Sequence, residues 1–146
     1  MSDPVKVIFP VEQNAGGYPP LKEECIWCLP KGSGVFQVDN IPFYAVDLSL
    51  EDEIVAEMRD GVLRFVRLMR PSKNTTIRVF AREKSSESVI RPHMESFGGA
   101  TEKMEGSSLV AVSFPPSADL AGALACLDRE SAAGRLALEE SAVRYR

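Results

Sequence analysis

Asp60-Gly61 stands between two apolar runs, Glu53-Ile54-Val55-Ala56-Glu57-Met58 and Val62-Leu63-Arg64-Phe65-Val66-Arg67-Leu68. Asp-Gly is a strong hairpin signal, because the favoured two-residue turn needs positive φ at both central positions. A helix competes for the same segment: Leu50, Ile54, Met58, Val62, Val66 and Met69 fall on one helical stripe. With the turn signal in the middle of that stripe, a hairpin is the preferred reading.

Shorter strands precede it. Lys6 to Glu12 reads as a first strand, with Pro10 suggesting an edge or a bulge. Asn14 to Pro20 is a loop by composition. Leu21 to Leu29 and Val35 to Val38 read as strands joined by the turn residues Pro30-Lys31-Gly32-Ser33-Gly34. Asp39-Asn40-Ile41-Pro42-Phe43-Tyr44-Ala45 then follows neither a strand alternation nor a helical period, and Pro42 removes a backbone donor where a strand would continue. Five short strands in the first half suit a small β-barrel or roll.

Arg70 to Thr75 is polar and carries Pro71, a natural joint between units. Beyond it Thr76 to Ala81 alternates like a strand. Ser85-Ser86-Glu87-Ser88 offers helix caps, apolar residues follow to Phe97, and Gly98-Gly99 stops the helix. Pro92 either kinks that helix or marks its first turn. Ala100 to Glu105 and Ser108 to Phe114 read as paired strands turning at Gly106. A helix capped by Ser117 or Asp119 follows, and Leu136 to Tyr145 supplies a last strand. The expected fold class is therefore α+β: a small barrel over residues 1–71, then a ferredoxin-like βαββαβ unit over 72–146.

The chain has 146 residues, 45% of them hydrophobic and 26% charged, with a net charge of −4. The acidic balance argues against nucleic acid as a partner. No apolar run is long enough to span a bilayer, and the N-terminus shows no secretory pattern, so no membrane partner is expected. Three cysteines without framework spacing point to a reducing, cytoplasmic setting.

The catalytic inventory is thin. Cys25-Ile26-Trp27-Cys28 has redox spacing but lies in a strand, where residues three apart face opposite ways. The single histidine, His93, could form a dyad only if Cys25, Cys28 or Cys126 meets it in space. No nucleophile elbow, phosphate loop or dinucleotide fingerprint is present. Neighbouring carboxylates such as Glu23-Glu24 would face opposite sides of a strand and read as solvated surface. The cationic run Arg64, Arg67, Arg70, Lys73, Arg78 and Arg82 reads as ordinary surface among acidic neighbours. Aromatics concentrate in the first half, where Trp27, Phe36, Phe43 and Phe65 default to core; Tyr18 and Tyr44, in loops, are the better contact candidates. No cofactor and no metal site is expected.

Several motifs carry a family likeness: Val7-Ile8-Phe9-Pro10, Gly17-Tyr18-Pro19-Pro20, Glu24 with Trp27, Asp39-Asn40-Ile41-Pro42-Phe43 with Ala45, Leu63-Arg64-Phe65-Val66, and Thr76-Ile77-Arg78-Val79. In these the run from Val7 to Arg78 resembles an uncharacterised bacterial family, domain of unknown function 4265. The resemblance implies no reaction. This chain departs from the family pattern at the Cys25/Cys28 pair, which relatives usually lack, and at Lys73 and Asn74 in the joint.

A non-catalytic binding or protein-interaction module is therefore the expected function, with an unknown protein, a small anionic ligand or a second copy of the chain as partner. The expected contact residues are Glu24, Asn40, Tyr44, Asn74, Thr76 and Arg78, in a groove between the units. The alternative is a small enzyme or sensor for an anionic metabolite, with Arg78 and Lys73 holding the anion and Glu24 or His93 moving a proton.

Overall fold

The computed structural model describes residues 3–145, apart from the side chains of 84–87. The chain divides after Ser72 into two compact units.

The first unit is a closed barrel of β1 (Val5–Pro10), β2 (Glu23–Gly32), β3 (Val35–Val38), β4 (Glu53–Arg59) and β5 (Val62–Arg70). Neighbours pair antiparallel, and the barrel closes where β1 meets β5 in parallel through Val7↔Leu63 and Ile8↔Arg64. Residues 50–69 form the hairpin and not the helix, with positive φ at Asp60 (52°) and Gly61 (82°). Two register shifts between β4 and β5 break the regular ladder. Strand alternation sends Glu24, Ile26 and Cys28 inward, and Glu23, Cys25 and Trp27 outward. Val7, Phe9, Ile26, Val38 and Ile54 fill the interior, and Phe9 stacks on Phe65 with ring centroids 4.9 Å apart.

Between β3 and β4 the chain makes a long excursion whose ends stay together, since Val38 N donates to Asp52 O at 2.8 Å and Glu51 N to Val38 O at 2.8 Å. Ala45 and Leu48 of this excursion return into the barrel core. The family-like segment is therefore a plug that completes the core, which explains its lack of strand or helical period.

The second unit holds a four-stranded sheet in the order β7-β8-β6-β9, built from β6 (Thr75–Ala81), β7 (Ala100–Lys103), β8 (Leu109–Phe114) and β9 (Leu136–Ala142). All its pairings are antiparallel. Helices α1 (Lys84–Ser96) and α2 (Leu120–Ala132) pack Ile90, Met94, Leu120 and Leu127 against Ile77, Val79, Val110 and Val112. Asp119 caps α2 by accepting from Gly122 N at 2.9 Å. A Cβ at residue 122 would lie 2.3 Å from the Asp119 carboxylate, so glycine is needed for that cap. Helix α1 runs through Pro92 without a break. The capping role expected of Ser85, Ser86 and Glu87 lies outside the described residues, and Ser88 sits inside the helix.

The expected fold class, α+β with a ferredoxin-like βαββαβ unit, is corrected. Strands take 43% of the described residues and helices 16%; the architecture is mostly antiparallel sheet, in two sheets, and a ferredoxin-like unit is not shown. The physical reason is the balance between the units: strands build the sheets of both, whereas the two 13-residue helices among the described elements serve only the second.

Candidate functional site

Glu24 sits on the inward face of β2 and is 8% exposed. Its Oε2 accepts from Phe43 N at 2.7 Å, and its Oε1 accepts from Tyr44 N at 2.9 Å and Ala45 N at 2.8 Å. A carboxylate with three amide donors is a strong clamp, because a charged acceptor strengthens each bond. It fixes the backbone of the plug from Phe43 to Ala45. Asp52, fully buried, does similar work at the other end of the excursion, accepting from Ser49 N at 2.9 Å and Ser72 N at 2.7 Å.

The plug also pins the strand beside it. Asn40 Oδ1 accepts from Trp27 N at 2.7 Å, and Asp39 N donates to Trp27 O at 2.9 Å. Both main-chain polar groups of Trp27 are thus held by residues 39 and 40. Its side chain points out of the barrel and is 46% exposed. Lys6, directly across from it on β1, places Nζ 5.2 Å from the centre of the indole ring. Trp27, Asp39 and Asn40 join Asp3 and Pro4 around a surface recess of about 430 Å³. This recess, framed by family-like residues, is the candidate site.

The six residues expected at a binding surface separate into two groups. Glu24, Asn40 and Tyr44 belong to the first unit, where Glu24 and Asn40 are clamps. Tyr44 is buried and meets Tyr18 edge-on at 6.3 Å, so it is core, contrary to expectation. Asn74, Thr76 and Arg78 belong to the second unit and are all buried. Arg78, on the sheet face opposite the helices, donates to Glu139 Oε1 at 3.0 Å and Ser141 Oγ at 2.7 Å, strapping β6 to β9. Trp27, read as core from the sequence, is instead 46% exposed beside the recess. The alternation that buries Ile26 and Cys28 was the signal that could have found it.

Cys25 and Cys28 face opposite sides of β2, one exposed and one buried. Burial, and secondarily the Asp39 charge, pushes the Cys28 thiol up from 9.0 to about 12. Cys28 is consequently a core residue and a poor nucleophile. Among the described residues no cluster of three or more His, Cys, Asp or Glu could hold a metal. In the second unit His93 and Cys126 do line one cleft, of about 380 Å³, floored by Ile90, Met94, Leu127 and Leu136. Its mouth holds the ion pair of Arg135 Nε and Glu130 Oε2, 3.1 Å apart.

A closed barrel, an open four-stranded sheet, a clamped plug and a half-exposed tryptophan define a small sheet-built protein with an aromatic surface recess. The chain belongs to the family described as a domain of unknown function, DUF4265, whose model matches residues 24–138. A crystal structure of a hypothetical protein from Neisseria gonorrhoeae has the same fold, with a TM-score of 0.81 at 24% identity over 100% of this chain and 99% of that one. Among curated proteins no match is found. These likenesses assign no reaction. No helix of the described residues is long and apolar enough to cross a membrane.

Proposed function

We propose that this protein is a non-catalytic binding module that docks a partner on the outer face of its barrel, at the recess beside Trp27. One observation carries the reading: a tryptophan kept 46% exposed while its own backbone is fixed on both sides by Asp39 and Asn40. Large aromatics are held in the open at a cost in hydration, and interfaces are where they recur. Fixing the backbone beforehand lowers the ordering cost of association. The three cysteines are free, which fits a reducing cytoplasm as the compartment.

The test is a pair of affinity captures, one with the native chain and one with Trp27→Ala, each checked for unchanged melting. A protein retained by the native chain and lost by the variant supports the reading. Identical sets of retained proteins would sink it.

A further inference from the structure

We infer that the recess takes an arginine side chain presented by an extended segment of a partner protein. The inference rests on the binding role proposed above and names its chemistry. Three observations converge. Among the described residues the ionisable groups lining the recess, Asp3 and Asp39, are both carboxylates, and no cation lines it. Trp27 lines the recess with them, and the π-face of an indole attracts cations. Lys6, which is not among the lining residues, already brings its ammonium within 5.2 Å of the ring centre, an intramolecular instance of the same attraction.

Arginine fits these walls better than lysine. Its planar guanidinium stacks on an aromatic ring and offers paired donors to a carboxylate, whereas an ammonium is a compact and strongly hydrated charge. Pro4 and the indole supply apolar wall for the methylene stem. The shallow, surface position suits a side chain carried by a polypeptide, since a free small molecule would bury little of itself there. A second copy of the chain is a poorer occupant, because the net charge of −4 opposes self-association through an acidic patch.

Trp27 is the single tryptophan of the chain, so its fluorescence reports on the recess directly. The probe is the blocked pentapeptide Gly-Gly-Arg-Gly-Gly, titrated against its citrulline, lysine and glutamate counterparts and against free L-arginine. The arginine peptide is expected to perturb the emission saturably. The citrulline peptide, which keeps the shape and loses the charge, is expected to bind about tenfold more weakly. Asp39→Asn, which leaves the reporter in place, should weaken the arginine peptide about fivefold. Continued resistance of Cys28 to thiol reagents would show that this variant remains folded.

Equal binding of the citrulline or glutamate peptide overturns the inference, as does an arginine peptide without effect. Free arginine binding as tightly as the peptide overturns the polypeptide source. If the arginine peptide fails while Trp27→Ala still loses a captured protein, the guanidinium chemistry is wrong and the docking role stands. If Trp27→Ala loses nothing, the docking role falls as well.

Discussion

The two units bury charge in opposite ways. In the barrel, Glu24 and Asp52 are carboxylates whose partners are backbone amides of an irregular segment. In the second unit, Arg78 is a cation whose partners on β9 are side chains of a neighbouring regular strand. A sheet ladder satisfies its own amides, so a charge lying on it links strands that already pair. A plug has no ladder, and its amides must find acceptors elsewhere or stay unsatisfied. Charge is therefore indispensable to the barrel's loop and supplementary to the second sheet, and mutation can test that difference.

The largest effect should come from Glu24→Ala. It leaves three buried or half-buried amides without their acceptor, each costing about 1–3 kcal/mol, though not additively. A loss of about 4 kcal/mol in urea unfolding is expected. A loss below about 1 kcal/mol would show that water replaces the carboxylate and that the plug is not clamped by it. Asp52→Ala removes the acceptor of two amides and should cost less, about 3 kcal/mol by the same measurement.

Alkaline pH probes the barrel interior without mutation. The Cys28 thiol titrates near 12 in the folded chain, against an ordinary 9.0. Above the ordinary value the unfolded chain sheds this proton while the folded chain keeps it, so the unfolded state binds fewer protons and stability falls as pH rises. The contribution of this group is complete below pH 9.0 and is lost on the way to about 12. The slope approaches about 1.4 kcal/mol per pH unit, so roughly 2 kcal/mol should be gone by a point midway in that window. Cys28→Ala should flatten the curve between those limits, and an unchanged curve would mean that the thiol is solvated. At neutral pH a thiol reagent should modify Cys25 promptly and reach Cys28 only on unfolding, since the first is exposed and the second buried.

Legibility in the sequence followed the range of the interactions. Asp60-Gly61 decided the β4–β5 hairpin because a turn is specified by the two residues that make it. The opposed facing of Cys25 and Cys28 could likewise be read from strand alternation. Glu24 could not be read, because its partners lie 19 to 21 residues further on and a carboxylate beside another carboxylate looks like surface. Five short strands suggested a barrel but not the Val7↔Leu63 pairing that closes it, because no local pattern encodes so distant a partner. The candidate recess shares that property. Trp27 comes from one strand, Asp39 and Asn40 from the plug, and Asp3 and Pro4 from the chain ahead of β1, so only the folded barrel brings them together.

Arg78 sharpens the comparison with the smallest expected effect. Its side chain is 4% exposed, whereas its partner Glu139 is 50% exposed. Replacing Arg78 by Met fills the volume with an unbranched apolar chain, and the Glu139 carboxylate is left where water can reach it. Ser141 Oγ loses one donor but can rotate its hydroxyl toward another partner. An apolar replacement of a buried ionic group is often neutral or stabilising, so Arg78→Met should stay within about 1 kcal/mol of the native chain. Glu139→Ala makes the reverse change, leaving the buried guanidinium with one acceptor fewer, and should cost about 2 kcal/mol. The inequality between these two variants, measured in the same denaturant series, is the decisive quantity. If Arg78→Met proves as damaging as Glu24→Ala, then the cation organises the second unit as the carboxylates organise the barrel, and the contrast between the units disappears.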